Sequence, residues 1–394
     1  MPIVYLIIQG YAYTFLEYRT KFCIPVTVHI VVKLKKQKDI CFCCDTAVPP
    51  NMEHGIVKTF ISRETTSFRM KTSFSPKPWI RNPHVQTILS SLGFRNIRKN
   101  SIHNLSREVI VDGGEGVRLL GYHTKQAIQP ARGLIILIHG WEGSSSSAYI
   151  VSAAHYFVKR GFDVFRLNLR DHGPSHHLNE GLFHGARLEE VLTAVRQIAA
   201  FSPELPCYLI GYSLGGNFAL RIACRQGVAS EPFLTKVFAV SPVLDPYKST
   251  EALDEKYALY RNYFLHKWKR SLRRKGRLFP DRYDFACLLA MKSCMAMTDV
   301  MVAEYTEFKD ARDYFGRYTL NRDWFANLSL PLTIIVAADD PLIDVDDFAQ
   351  LADCPLLTLK IERYGGHCGF FQDLSFRCWV EEEIGRIIEK KSPG

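Results

Sequence analysis

The chain has no run of eighteen apolar residues anywhere in its 394 positions, which argues against a helix that crosses a bilayer. No basic stretch precedes its apolar start, as a secretory signal would require. Its eleven cysteines are odd in number, unevenly spaced, and carried by a chain too large to need stapling. They read as reduced thiols of a cytoplasmic protein rather than as a disulfide framework. Cys41, Cys43 and Cys44 lie close together, yet no second Cys/His pair follows at ligand spacing, so loose thiols are expected rather than zinc ligands. Groove-reading and base-stacking context is missing around the one dense basic run, so nucleic acid is not the expected partner. Acidic residues are in the minority, 40 against 50 basic, and the resulting charge of +10 favours anionic surfaces or substrates.

What is present is a large apolar fraction, 47%, enough to bury a sizeable core. Residues 1–69 show neither helical periodicity nor a strand–turn–strand order. Within them 22–34 is rich in β-branched residues and is a strand candidate, and 33–38 is a basic patch. Their contrast with the patterned chain beyond Phe74 suggests an N-terminal extension, with translation starting naturally at Met52 or Met70.

Residues 70–394 read as one domain. Segments 107–112 and 117–123 alternate around Gly113-Gly114-Glu115-Gly116, which predicts an antiparallel hairpin. Residues 134–138 are continuously apolar, as in a parallel strand buried on both faces. Helical spacing follows at Ile150, Ala153, Ala154, Phe157 and Val158. Further strands are expected at 164–169, 208–212, 237–240, 333–337 and 357–362, with helices over 188–198, 214–224 and 376–387. This alternation predicts an α/β fold, a mostly parallel sheet flanked by helices. From about 245 to 327 it gives way to a helical, aromatic stretch, expected to form a cap over the carboxyl ends of the strands.

The chemistry gathers at strand ends. Gly211-Tyr212-Ser213-Leu214-Gly215 is a G-x-S-x-G turn between a strand and a helix, which lifts a serine hydroxyl onto a strained corner. A nucleophilic serine needs a base, a group to orient that base, and donors for the oxyanion. Asp339 and Asp340 follow one predicted strand, and His367 lies in the glycine-flanked loop after the next. The order Ser213, Asp340, His367 suits a Ser-His-Asp triad, with Asp339 the alternative acid and Asp344 a third. Asp340 before Pro341 is also an ordinary turn former. The backbone N–H groups of Trp141 and Leu214 are the natural oxyanion donors. His139 is expected to shape its strand end. His172, His176, His177 and His184 invite a metal reading, but Pro174 breaks any helical pair, so a hydrogen-bonded loop is expected. The mechanism needs neither metal nor organic cofactor.

The elbow resembles that of the YheT-like α/β-hydrolases. So do Arg81-Asn82-Pro83-His84-Val85-Gln86-Thr87, His139-Gly140-Trp141-Glu142-Gly143-Ser144-Ser145, Asn168-Leu169-Arg170-Asp171-His172-Gly173 and Gly365-Gly366-His367-Cys368-Gly369-Phe370. The similarity runs from about Phe74 to the C-terminal helix. It implies the α/β-hydrolase fold and hydrolysis of carboxylic esters, short- or medium-chain or lipid-like, by Ser213, Asp340 and His367. Such relatives usually carry an N-terminal membrane anchor, for which residues 1–69 offer no adequate span. An acyltransferase or a non-catalytic scaffold of the same fold are the competing readings. Lys267-Trp268-Lys269-Arg270 and Arg273-Arg274-Lys275 fall inside the expected cap. They read as a solvated helix face, or as a peripheral contact with an anionic membrane surface or an anionic acyl substrate.

Overall fold

The computed structural model describes residues 3–8, 11–16, 73–91, 101–127, 130–226, 232–326, 328–351 and 354–390. The chain divides into two units, Met1–Thr66 and Ser67–Gly394. In the first, strand β1 (Ile3–Ile8) pairs antiparallel with β2 (Tyr11–Leu16), Ile3 opposite Leu16 and Ile8 opposite Tyr11. This hairpin corrects the expectation of no strand–turn–strand order there. Both strands are apolar or aromatic at nearly every position, so the polar alternation that marks a half-buried strand is missing. Segments 22–34 and 33–38, Cys41, Cys43, Cys44, Met52 and Met70 lie outside the described residues.

The second unit opens with helix α1 (Pro83–Ser91) and the short α2 (Ser101–Asn104). Asn82 caps α1: its Oδ1 accepts the N–H groups of His84 at 2.9 Å and Val85 at 3.2 Å, and Pro83 fills the position where no donor is needed. Strands β3 (Ser106–Asp112) and β4 (Arg118–Thr124) form the expected hairpin. The chain then alternates: β5 (Leu134–Ile138), α3 (Ala148–Val158), β6 (Asp163–Leu167), α4 (Leu188–Ala199), β7 (Cys207–Tyr212), α5 (Leu214–Gln226) and β8 (Lys236–Val240). Five helices follow, α6 (Pro246–Lys256), α7 (Ala258–Leu278), α8 (Ala286–Ala290), α9 (Cys294–Tyr305) and α10 (Ala311–Gly316). Strands β9 (Leu332–Ala337) and β10 (Leu357–Glu362) and helix α11 (Trp379–Glu389) complete the unit. The last helix starts three residues later than its apolar spacing suggests, because Phe376 adopts a left-handed φ of 58° that no α-helix accommodates.

The eight strands lie in the order β10-β9-β8-β7-β5-β6-β4-β3. All pairs from β10 to β6 are parallel, and β4 and β3 add an antiparallel edge. Period-2 geometry splits β5 between two cores. Leu134, Ile136 and Ile138 pack with α4 and α5, whereas Ile135 and Leu137 pack with α3 and α11. Burial on both faces is what a continuous apolar run predicts for a central parallel strand. Strands β5, β7, β8 and β9 run side by side in one direction, so the loops after them gather at one end of the sheet. The five inserted helices join β8 to β9 and contribute Leu265, Trp268, Leu272 and Met301 to the α4/α5 core.

Candidate active site

Ser213 sits between β7 and α5 with a left-handed φ of 54°, a conformation that costs a non-glycine residue about 1 kcal/mol or more. The turn closes because its glycines carry no side chain. A Cβ on Gly211 would stand 2.1 Å from the Gly215 carbonyl oxygen, and one on Gly215 2.4 Å from that of Ile138. The Ser213 N–H is held by the Val240 carbonyl at 2.9 Å, tying the corner to β8. A Cβ on Gly140 would lie 3.0 Å from Ser213 Cβ, so the loop after β5 runs directly beside the serine. The Trp141 N–H follows on that loop, and Leu214 opens α5, where the first helical N–H groups have no partner within the helix. The Trp141 ring stacks on Phe264 at 5.1 Å and meets the edge of Trp268 at 5.3 Å, so α7 packs on this loop.

The histidine loop follows β10. His367 Nδ1 lies 2.9 Å from Asp340 Oδ2, and the second carboxylate oxygen accepts the N–H groups of Leu342 at 2.9 Å and Ile343 at 3.2 Å. Burial alone would lower the His367 pKa, but the adjoining Asp340 carboxylate holds it well above the usual histidine value. Asp339 meets the backbone of the same loop instead of the ring, its Oδ1 accepting the Gly366 N–H at 2.9 Å. Its Oδ2 is buried without a partner among the described residues, and burial pushes its carboxyl up to about 6. Asp344 forms an exposed ion pair with Lys248 at 3.0 Å. Of the three aspartates in question, Asp340 meets the ring.

The Asn-Pro-His-x-Gln-Thr segment is the support beneath that loop. Thr87 Oγ1 accepts the His367 N–H at 2.9 Å. Gln86, fully buried, donates to the carbonyls of Ile80 and Phe371 and accepts the Phe371 N–H at 2.8 Å. Gly366 has a φ of 52°, and a Cβ there would stand 2.4 Å from the Pro83 carbonyl oxygen. His84 Nδ1 lies 2.9 Å from the Tyr260 hydroxyl, linking α1 to α7. Nothing local in the sequence gives Gln86 and Thr87 this task, because their partners lie some 280 positions along the chain and meet them only in the folded protein.

Ser213 and His367 line one cavity of about 140 Å³. Its lining includes apolar Leu214, Val243, Leu253, Met301, Leu342 and Ile343. It also includes polar Glu142, Asp171, His172, Ser271 and Lys275. Glu142 also has a left-handed φ, 53°, and burial pushes its carboxyl up to about 7. Lys275 is buried in the basic run, its ammonium donating to Asp171 Oδ1 at 2.8 Å and to the Asn179 carbonyl at 2.6 Å. Lys269 donates to the Met291 carbonyl, and Arg274 to that of Gly173 at 2.9 Å. The run is therefore divided: Arg270, Arg273 and Arg277 are exposed on one stripe of α7, while Lys275 and Trp268 are buried.

The four histidines after β6 form no metal centre, and no group of three or more ligand-type side chains meets among the described residues. His172 Nδ1 lies 2.7 Å from the Arg170 carbonyl, and its Nε2 accepts the Glu142 N–H at 3.2 Å. Burial drives its pKa down to about 4, and those of His176 and His184 to about 3. His139 is likewise buried, its Nδ1 2.8 Å from the Gly140 carbonyl and its Nε2 accepting the Leu169 N–H at 3.2 Å. His139 and His172 thus fasten the loops around Ser213, whereas His176 Nε2 lies 2.8 Å from Ser271 Oγ, His184 packs edge-on against Phe308 at 5.3 Å, and His177 is exposed.

The chain is similar to several known proteins. YheT of Escherichia coli (strain K12), which carries an esterase name, is 24% identical over 82% of this chain and 94% of its own. The monoacylglycerol lipase of Saccharomyces cerevisiae (strain ATCC 204508 / S288c) is 22% identical over 66% of this chain, and the match spans 59% of that protein. Among solved structures, 2,6-dihydroxy-pseudo-oxynicotine hydrolase superposes with a TM-score of 0.51 at 15% identity, covering 76% of this chain and 74% of that one. The model of the "Alpha/beta hydrolase family" matches residues 135–375, more than half of the chain, taking in all but the first residue of β5 and every strand from β6 to β10. With that match, the sheet order and the strained serine corner together, the chain belongs to the alpha/beta hydrolase family.

Proposed function

We propose that the protein hydrolyses carboxylic esters through Ser213, His367 and Asp340. The observation that carries this reading is the His367 Nδ1–Asp340 Oδ2 pair at 2.9 Å, in the same cavity as a serine strained at a strand-to-helix corner. His367 Nε2 takes the Ser213 proton as the hydroxyl attacks the acyl carbonyl, and Asp340 holds the ring in the tautomer that frees Nε2. The N–H groups of Trp141 and Leu214 receive the oxyanion, each worth about 3 kcal/mol of transition-state stabilisation. The alcohol leaves with the proton from His367. Water, activated by the same ring, then releases the acid. The mainly apolar cavity suits an acyl chain, in keeping with the esterase and lipase names of the relatives.

The helices between β8 and β9 act as the cap over this site, and residues 70–394 as the hydrolase domain. The exposed stripe of Arg270, Arg273 and Arg277 supplies peripheral contact with an anionic membrane surface, the other arginine, Arg274, being engaged by the Gly173 carbonyl. A fluorophosphonate probe tests the core of the reading. Labelling of the wild type that disappears in Ser213→Ala supports it, and folded wild-type protein that takes no label overturns it. A panel of p-nitrophenyl esters of graded length then measures the acyl preference, and added alcohol acceptors distinguish hydrolysis from acyl transfer.

A further inference from the structure

The cavity lining combines two chemistries. A fatty acyl chain laid along Asp171, His172 and Lys275 would strip polar groups of water without replacing their partners, so it belongs against the apolar members. The polar members are then left for the alcohol half of an ester. Most of them are already committed to one another. Lys275 is satisfied by Asp171 and backbone carbonyls, His172 by Arg170 and the Glu142 N–H, and Ser271 by His176.

Glu142 is different. It directly follows the Trp141 donor, it lines the cavity with Ser213 and His367, and none of the described residues hydrogen-bonds its carboxyl. Its nearest charges, Lys267, Arg270 and Asp171, act on it through space only. Its backbone is also left-handed, where glycine would sit with less strain. The side chain, rather than the backbone, accounts for a glutamate at this turn.

Resting on the ester-hydrolase reading above, we infer that Glu142 is a specificity-determining residue whose carboxyl takes a hydroxyl of the leaving alcohol. Esters of a polyol such as glycerol are therefore preferred over esters of a plain alkanol. A carboxyl that burial holds partly protonated both donates to and accepts from such a hydroxyl.

Glyceryl monodecanoate and propyl decanoate share an acyl group and a carbon skeleton and differ only in hydroxyls, so their kcat/KM ratio reads this contact alone. The wild-type chain favours the glyceryl ester. Glu142→Leu lowers the ratio roughly tenfold, the worth of one good hydrogen bond to such a group. Glu142→Gly, which suits the turn, loses the ratio equally, and Glu142→Gln retains most of it. The inference is overturned if both esters slow in parallel, which would mean a purely structural turn, or if the ratio stays put in the Leu and Gly variants. Fluorophosphonate labelling of Ser213 in the wild type involves no alcohol hydroxyl and so reads the hydrolase activity separately. Labelling together with propyl ester turnover keeps the hydrolase reading whatever the ratio shows. Their absence in the folded wild type removes both.

Discussion

Replacing Asp340 with Asn changes one atom in the site and reverses the direction of one hydrogen bond. In the wild type Asp340 Oδ2 accepts from His367 Nδ1 at 2.9 Å, while Oδ1 accepts from Leu342 and Ile343. An asparagine keeps its oxygen on the two backbone N–H groups and turns its amide toward the ring. Nδ1 must then accept, the ring proton moves to Nε2, and the base that should receive the Ser213 proton is blocked. The carboxylate is 1% exposed, so water cannot take its place. The expected loss in kcat is about ten-thousandfold, or ~5 kcal/mol of transition-state stabilisation, with the fold intact. The pH profile moves as well. Activity needs neutral His367 and therefore rises as pH passes upward through its pKa, which the Asp340 charge holds well above 6.5. Removing that charge leaves burial dominant, which lowers the pKa, so the acid limb of the residual activity shifts to lower pH. Stopped p-nitrophenyl ester assays across pH, with thermal melts as a control for folding, measure both effects. If Asp340→Asn stays within tenfold of the wild type while Asp339→Asn collapses, the assignment of the acid is wrong.

Three further outcomes follow from the same contacts. Thr87→Val keeps the shape of α1 but deletes the acceptor of the His367 N–H; kcat should fall roughly tenfold with KM little changed, and the thermal midpoint should drop by the equivalent of about 1–2 kcal/mol. Lys275→Met leaves the Asp171 carboxylate buried and unpaired, and urea titration should show a loss of about 3–5 kcal/mol, largely recovered in Asp171→Asn/Lys275→Met; equal stability of single and double variants would discount the pair. Arg270→Glu/Arg273→Glu alters only exposed positions, so it should leave melting unchanged. Because a cation near an anionic surface contributes about 1 kcal/mol, the same double variant should bind phosphatidylserine vesicles more than tenfold more weakly at low salt, and unchanged binding would reject that contact.

The strands and the serine corner were legible because both depend on local chemistry. A continuous apolar run such as Leu134–Ile138 can be satisfied only by burial on both faces, and the glycines around Ser213 announce a corner no other residue could turn. The basic run was half legible. Leu265, Trp268, Leu272 and Lys275 recur at helical spacing, so Lys275 already belonged to the apolar face of α7, although its charge argued for solvent. The N-terminal hairpin escaped because strands without polar alternation leave no periodic mark.

Sequence alone, then, determined the α/β alternation, the serine corner and the candidates for base and acid, since these follow from side-chain type and near-neighbour spacing. Only the tertiary structure decided between Asp339 and Asp340. Both carboxylates reach the histidine loop, but the His367 ring, 27 positions from Asp340, meets only that one, while Asp339 takes the Gly366 N–H. It likewise decided that the Gln86-Thr87 pair holds the histidine loop and that His172, among the histidines after β6, fastens backbone. It also placed Glu142 among the residues that line the cavity. Each of these depends on which groups satisfy one another across the fold, and that is settled only when distant segments pack together.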